Sequence, residues 1–284
     1  MADERAAGSR GSRILGDLGG GGSGRSTALA IASTVVVFGV LVLLVVSSPG
    51  WPAVRRSFFD GDIFGDSFPE IARAFWLNVR IFCIAEVLIL VLALVIAVLR
   101  SLPGAVLFPV RLLALAYTDL FRGVPTILVI YILGFGAPAL EISGVPRSPM
   151  FWGVVSLVLV YSAYVAEVYR AGIDSVHPSQ EAAARSLGLT RGQALRFVVL
   201  PQAVRRVIPP LLNDFIGLQK DSALVALIGP VEAFRQSQID VAGSFNYTPY
   251  LVTALLFVLL TIPLARLTDW LIARDRRRQL SGGA

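Results

Sequence analysis

The residues in this sequence able to do chemistry lie where charge is least comfortable. Glu86, Arg122, Glu167, Asp214, Lys220 and Asp221 all fall in or beside long apolar runs. Charge is costly in hydrocarbon, so such groups must face protein, water or a route for a solute. Each has two readings. Arg122 sits in a Phe121-Arg122-Gly123-Val124-Pro125 break. It either clamps carbonyls freed by the break or contacts a solute carboxylate. Glu167 either pairs with Arg170 at i,i+3 or serves translocation. Asn213 and Asp214 face inward, toward a pathway or a partner helix. Lys220-Asp221 is either a local ion pair or a two-signed lining. Tyr161 and Tyr164, one helical turn apart, either pack or present polar tips to a pathway. Glu86 has no cation near it in sequence and is expected only to face protein or water.

Catalysis finds no foothold. His177 is the single histidine, in a loop before Pro178, and Cys83 is the single cysteine. No metal-ligand cluster and no nucleophile–base set can be assembled from them. No Gly-x-x-x-x-Gly-Lys-Ser/Thr phosphate loop occurs. No catalytic residue, metal or cofactor site is therefore expected, and the chain does not read as an enzyme.

The elements that must position these groups follow from composition. Of 284 residues 55% are hydrophobic and 15% charged, and mean hydropathy is +0.73. These values belong to multi-span membrane proteins. The net charge of +6 fits topology-setting arginine. It does not fit nucleic-acid binding, because no basic segment is interleaved with stacking aromatics. Residues 1–27 are Gly, Ser, Arg and acidic residues and read as a disordered tail. Residues 28–46 read as a retained transmembrane helix rather than a secretory signal. Residues 47–75 read as an extramembrane loop whose Trp51, Phe58, Phe59 and Phe64 suit a bilayer surface.

Within 76–273 the expected crossings are 76–99, a discontinuous 108–135, 150–169, 207–228 and 249–272. The break in the second of these comes from Gly123 and Pro125. The expectation is thus an all-α membrane protein with six transmembrane helices. The loop at 171–206, the tail at 274–284 and residues 1–27 are rich in arginine, which puts all three on the cytoplasmic face.

Residues 179–201, SQEAAARSLGLTRGQALRFVVLP, form a polar, helix-prone interruption. Ser179 is placed to cap a first helix, and Glu181 suits the dipole of its first turn. Gly188 can end that helix in a left-handed conformation. Thr190 can cap a second helix running to about Val199, and Pro201 should break the chain. Ala182, Ala183 and Ala184 offer a small-residue face for close approach by another surface. An ordinary amphipathic connection at the bilayer surface is the competing reading.

This stretch resembles the EAA loop of permease subunits in bacterial ATP-driven (ABC) importers. Gly188 is followed after nine residues by Val198-Val199-Leu200-Pro201, the family's closing pattern, while Glu181 lies one residue early. Phe121-Arg122-Gly123-Val124-Pro125 is similar to the FRGTP signature of the polar amino-acid branch. Residues 164–173 are similar to its YxAExxRxGI signature. Leu200-Pro201-Gln202-Ala203, Pro209-Pro210-Leu211-Leu212-Asn213 and Lys220-Asp221-Ser222-Ala223-Leu224 are similar to its LPQA, PPLxN and KDTSL elements.

The resemblance covers about residues 70–273 and implies a type I ABC importer permease core in the last five spans. It implies that Glu181, Ala182, Ala183, Ala184, Gly188, Leu200 and Pro201 dock on a cytoplasmic ABC ATPase dimer, which carries ATP and Mg. It implies an extracytoplasmic amino-acid-binding protein and a second permease subunit, identical or sister, in a bacterial cell membrane among lipid. A zwitterionic amino acid needs one site of each sign, which Lys220-Asp221 could supply. A self-contained secondary transporter or channel is the alternative.

Overall fold

A computed structural model describes residues 24–101 and 104–281, with side chains from Ser26 to Ala273 apart from residues 102–103. Most of the expected N-terminal tail and the side chains of the basic C-terminal tail lie outside the described residues. The chain divides into two units, at Phe59 and Asp60.

In the first unit α1 spans Gly24–Val46 and α2 spans Trp51–Phe58. Valine and leucine fill α1, and almost all of its described side chains are exposed. Ser48 turns its hydroxyl back to the Val45 carbonyl at 2.7 Å. Gly50 precedes α2, and Pro52 stands in its first turn, where a missing amide hydrogen costs nothing.

The second unit opens with α3, Gly61–Ser101. The loop expected over 47–75 is therefore helical from Gly61 onward. Asp60 explains the start, since its Oδ1 accepts from the amides of Asp62 and Ile63, both at 3.1 Å. Phe64, Ile71 and Phe75 then recur at helical spacing and pack against Ala233, Val252, Leu256 and Phe257. The Gly and Asp residues that read as turn signals are overridden by that burial. At 1.5 Å per residue α3 is about 60 Å long, roughly twice a hydrocarbon core.

Next come α4, Phe108–Gly123, and α5, Thr126–Tyr131. Val124 is extended, with φ −98° and ψ 130°, as a residue before proline should be. The two helices bend by 104° at this point. The expected discontinuity is present, and it turns the second half sharply off the first. A π turn at Ile132–Gly136 and a short helix at Ala137–Ala139 follow.

Helix α6, Pro149–Asp174, is the axis of the unit. Leu157, Val158, Val165 and Ala166 meet Ile81, Phe82, Ala85, Ile89, Ala93 and Ile96 of α3. Gly172 permits the close approach of the next long helix. A Cβ there would lie 3.3 Å from the Ala203 carbonyl and collide with Val207.

A hairpin of α7, Pro178–Ser186, and α8, Arg191–Ala194, leads through a π turn at Leu195–Val199 into α9, Leu200–Asp221. Pro201 was expected to break the chain. It instead occupies the first turn of α9, where proline needs no hydrogen bond. A 3-10 segment, Ser222–Ile228, ends at Gly229 with φ 119°.

The loop expected over 229–248 contains α10, Ala233–Ser244. Buried Glu232 makes this helix. Its carboxylate accepts from the Phe234 amide at 3.0 Å, the Arg235 amide at 2.8 Å and Asn78 Nδ2 at 2.7 Å. Asn78 Oδ1 in turn accepts from the Ala233 amide at 3.1 Å. Last is α11, Thr248–Ser281, which runs past the expected end near 272.

Four described helices are long and apolar enough to cross a bilayer, and five crossings result if the bent α4–α5 pair counts as one. The expected count of six is not reached on these criteria. The missing one is α9, which carries Arg205, Arg206, Asp214, Lys220 and Asp221.

Candidate functional site

Two places gather the candidate residues: the α7–α8 hairpin, and a polar cluster where α3, α4, α6 and α9 pack together.

In the hairpin, His177 rather than Ser179 is the cap. Its Nδ1 accepts from the Ser179 amide at 3.2 Å and contacts Ser179 Oγ at 2.7 Å. A residue in extended conformation is needed at that position, and His177, held before Pro178, has ψ 134°. Gly188 adopts φ +89°, and the backbone closes through the Gly188 amide to Arg185 O at 3.0 Å and the Leu189 amide to Ala184 O at 3.3 Å. Thr190 and Gln193 form a full capping box, with Gln193 N to Thr190 Oγ1 at 3.3 Å and Thr190 N to Gln193 Oε1 at 2.9 Å.

Glu181 lies 3.8 Å from Arg191 across the turn. The expected alanine face is split. Ala184 is buried, whereas Ala182 and Ala183 are exposed, because successive helical residues are rotated by about 100°. Ala182, Arg185, Ser186, Gly188, Leu189 and Thr190 line a shallow hollow of about 520 Å³. Leu187 stands beside it, 84% exposed. Leu200 and Pro201 are also exposed. Beneath the hairpin Val176, Val199 and Ala203 pack together, and Arg206 donates to the Ser175 carbonyl.

In the cluster, Tyr161 of α6 donates its hydroxyl to Asp221 Oδ2 of α9 at 2.9 Å. Asp214, about two turns earlier on α9, has a buried Oδ2 with no hydrogen-bond partner. Glu86 of α3 stands within electrostatic range of Asp214 and of Tyr169. Tyr164 is 6.4 Å from Tyr161, ring to ring. The Arg122 guanidinium lies 5.9 Å from the Tyr164 ring centre, and Tyr164 donates to the Arg122 carbonyl at 3.3 Å. Arg122 thus meets an aromatic face, a cation–π contact.

Other candidates lie elsewhere. Glu167 accepts from Arg170 at 2.5 Å, as an i,i+3 pair, and from Arg100 at 2.5 Å. Arg170 also reaches Asp174 at 2.5 Å, and Arg100 reaches Thr118 Oγ1 at 3.3 Å. Glu167 is therefore the centre of a polar lock joining α3, α4 and α6. Arg100 was not foreseen as its partner, being 67 residues away. Lys220 and Asp221 face different neighbours. Among the described residues Lys220 forms no salt bridge within 4 Å. It lines an apolar groove of about 770 Å³ with Phe234, Tyr250, Phe257 and Thr261. Asn213 is exposed. Among the described residues no group of three or more His, Cys, Asp or Glu could hold a metal ion.

Residues 88–277 match the family of binding-protein-dependent transport system inner membrane components. The chain belongs to that family. As a binding-protein-dependent inner membrane component it is a transport subunit and a multi-pass membrane protein. Among similar chains are two from Bacillus subtilis (strain 168). The probable amino-acid permease protein YxeN is 31% identical over 211 residues, 74% of this chain and 93% of that one. The probable glutamine ABC transporter permease protein GlnM is 33% identical over 204 residues, 72% of this chain and 92% of that one. A chain from a crystal structure of an amino acid ABC transporter with histidines superposes with TM-score 0.66 at 31% identity. It covers 72% of this chain and 94% of that chain. The matched region of this inner membrane component contains both the hairpin and most of the cluster.

Proposed function

We propose that this chain is the permease subunit of an ATP-driven amino-acid importer. The observation that carries this reading is the capped hairpin. It is a rigid helix–Gly–helix unit between two long helices, inside the family-matched region. It presents exposed Ala182, Ala183, Leu187 and Gly188 to a partner. The amino-acid and glutamine names of the similar chains support the substrate class.

In this reading the subunit works as a permease dimer, self-paired or with a sister, on a pair of cytoplasmic ABC ATPases holding ATP and Mg. An extracytoplasmic binding protein delivers the amino acid. The chain crosses a bacterial cell membrane six times, the α9 crossing being completed by the 3-10 segment, with both termini inside. The polar cluster beside α6 lines the route. Its carboxylates, Asp214, Asp221 and Glu86, suit an ammonium group, and Lys220 on the other side of α9 suits a carboxylate.

Reconstitution of the permease with its ATPase and binding protein in proteoliposomes tests this. Amino-acid uptake should require internal ATP. Uptake by this chain alone, driven by an ion gradient, would favour a self-contained transporter. Gly188→Val should uncouple hydrolysis from uptake while leaving membrane insertion intact. A Cβ at residue 188 meets nothing within 4 Å in this chain, and the backbone at φ +89° is strained for valine by about 1–2 kcal/mol. Unchanged uptake at equal membrane levels would count against the docking role.

A further inference from the structure

Helix α2 belongs to neither the hairpin nor the cluster, and it lies before the family-matched residues. None of its residues is buried. Trp51, Val54 and Phe58, at i, i+3 and i+7, share one side, and Arg55 and Arg56 fill the last turn. Trp51 and Phe59 lie 6.1 Å apart, ring to ring, closing an aromatic end on the apolar side. Arg55 flanks that side. Arg56 points away from it, its Nε held to the Pro52 carbonyl at 3.2 Å. No acidic residue occurs in the helix.

The connection to α1 determines where this helix can be. The Ser47 amide bonds to Leu43 O at 2.8 Å, the Ser48 amide to Val45 O at 3.2 Å and the Trp51 amide to Ser48 O at 3.0 Å. The apolar stretch Ser26–Val46 is about 30 Å long, which matches one hydrocarbon core. The hydrogen-bonded turn therefore leaves α2 within one turn of the surface where α1 ends. A short helix there, apolar and aromatic on one side with Arg55 at the flank of that side, has the pattern of an interfacial element.

We infer that α2 is a phospholipid-binding helix. Its Trp51–Val54–Phe58 side sits at the headgroup–acyl boundary, and Arg55 at its flank holds lipid phosphate, favouring anionic headgroups. Arginine suits this because its guanidinium fork matches phosphate oxygens and its stem can lie along apolar surface.

The test uses the full chain in lipid nanodiscs on a Cys83→Ser background, since Cys83 is the only cysteine. Nitroxide labels go on Val54→Cys and, separately, Ala53→Cys. Position 54 should be more accessible to oxygen and position 53 to an aqueous nickel chelate. Equal nickel access at both, or shielding of both from both reagents, overturns a bilayer seat and points to solvent or to a protein surface. A second arm places bimane on Val54→Cys. Phosphatidylglycerol spin-labelled near its headgroup is compared with phosphatidylcholine labelled likewise, each a minor component of unlabelled phosphatidylcholine. Severalfold stronger quenching by the glycerol lipid should fall to parity in Arg55→Gln. Parity with Arg55 in place overturns phosphate recognition. Ala53, Val54 and Arg55 are exposed, and elution of each variant as a single species checks that the chain stays intact.

Discussion

Glu232 is fully buried, outside the crossings, and it shows how one side chain can create an element. Burial pushes its carboxyl pKa up from the usual 4.5, while the Phe234 amide, the Asn78 amide group and the Arg235 amide pull it down, leaving it raised. A raised folded pKa means that the folded chain binds this proton at higher pH than the unfolded chain does. Its contribution to stability should therefore be complete below about 4.5 and be lost as pH rises through the raised folded pKa. Glu232→Gln should flatten this part of the unfolding-midpoint-against-pH curve in detergent. Glu232→Ala should cost about 2–3 kcal/mol, since it removes a cap and strands buried donors. The same network could not be read from the sequence. Asn78 and Glu232 are 154 residues apart, so nothing local joins them.

At the scale of elements, the hairpin was the most legible part. Gly188 with its positive φ and Thr190 with Gln193 are local devices, and local spacing reveals them. Thr190→Ala should weaken the start of α8 by about 1 kcal/mol. Faster amide exchange at Gly192 and Gln193, with α9 unchanged, would check it. The unforeseen elements are those whose local chemistry is overruled. The first third of α3 contains Gly61, Gly65 and Pro69, all helix-unfriendly. It is helical because Ile71 and Phe75 have Val252 and Phe257 to pack on, with the Phe75 and Phe257 rings edge to face at 5.0 Å. The apolar periodicity was there, but the turn residues spoke louder.

At the scale of the molecule, Glu167 ties α3, α4 and α6 through Arg100, Arg170 and Thr118. Arg100 and Glu167 side chains are only 14% and 21% exposed, so losing one partner leaves a charge poorly solvated. Arg100→Gln and Glu167→Gln should each lower the unfolding midpoint, and the double variant should be destabilised by less than the sum of the two, because the same contact is lost once. A double-mutant cycle should give a coupling of about 1–2 kcal/mol. Zero coupling would reduce the pair to a surface contact.

Sequence alone determined the features that arise within a few residues or from bulk apolarity. These are the membrane class, the crossings α1, α6 and α11, the break at Val124-Pro125 and the hairpin punctuated by Gly188 and Thr190. Steric and hydrogen-bonding rules there act between neighbours, and neighbours are visible in the string. Tertiary structure alone decided which charges meet. Tyr161 takes Asp221, Glu86 comes near Asp214, Arg100 reaches Glu167, and Lys220 turns away from Asp221 into an apolar groove. The physical reason is that side-chain charges interact through space. Helix packing brings together residues separated by some 60 positions or more in these pairs, and a rotation of about 100° per residue sends adjacent ones apart.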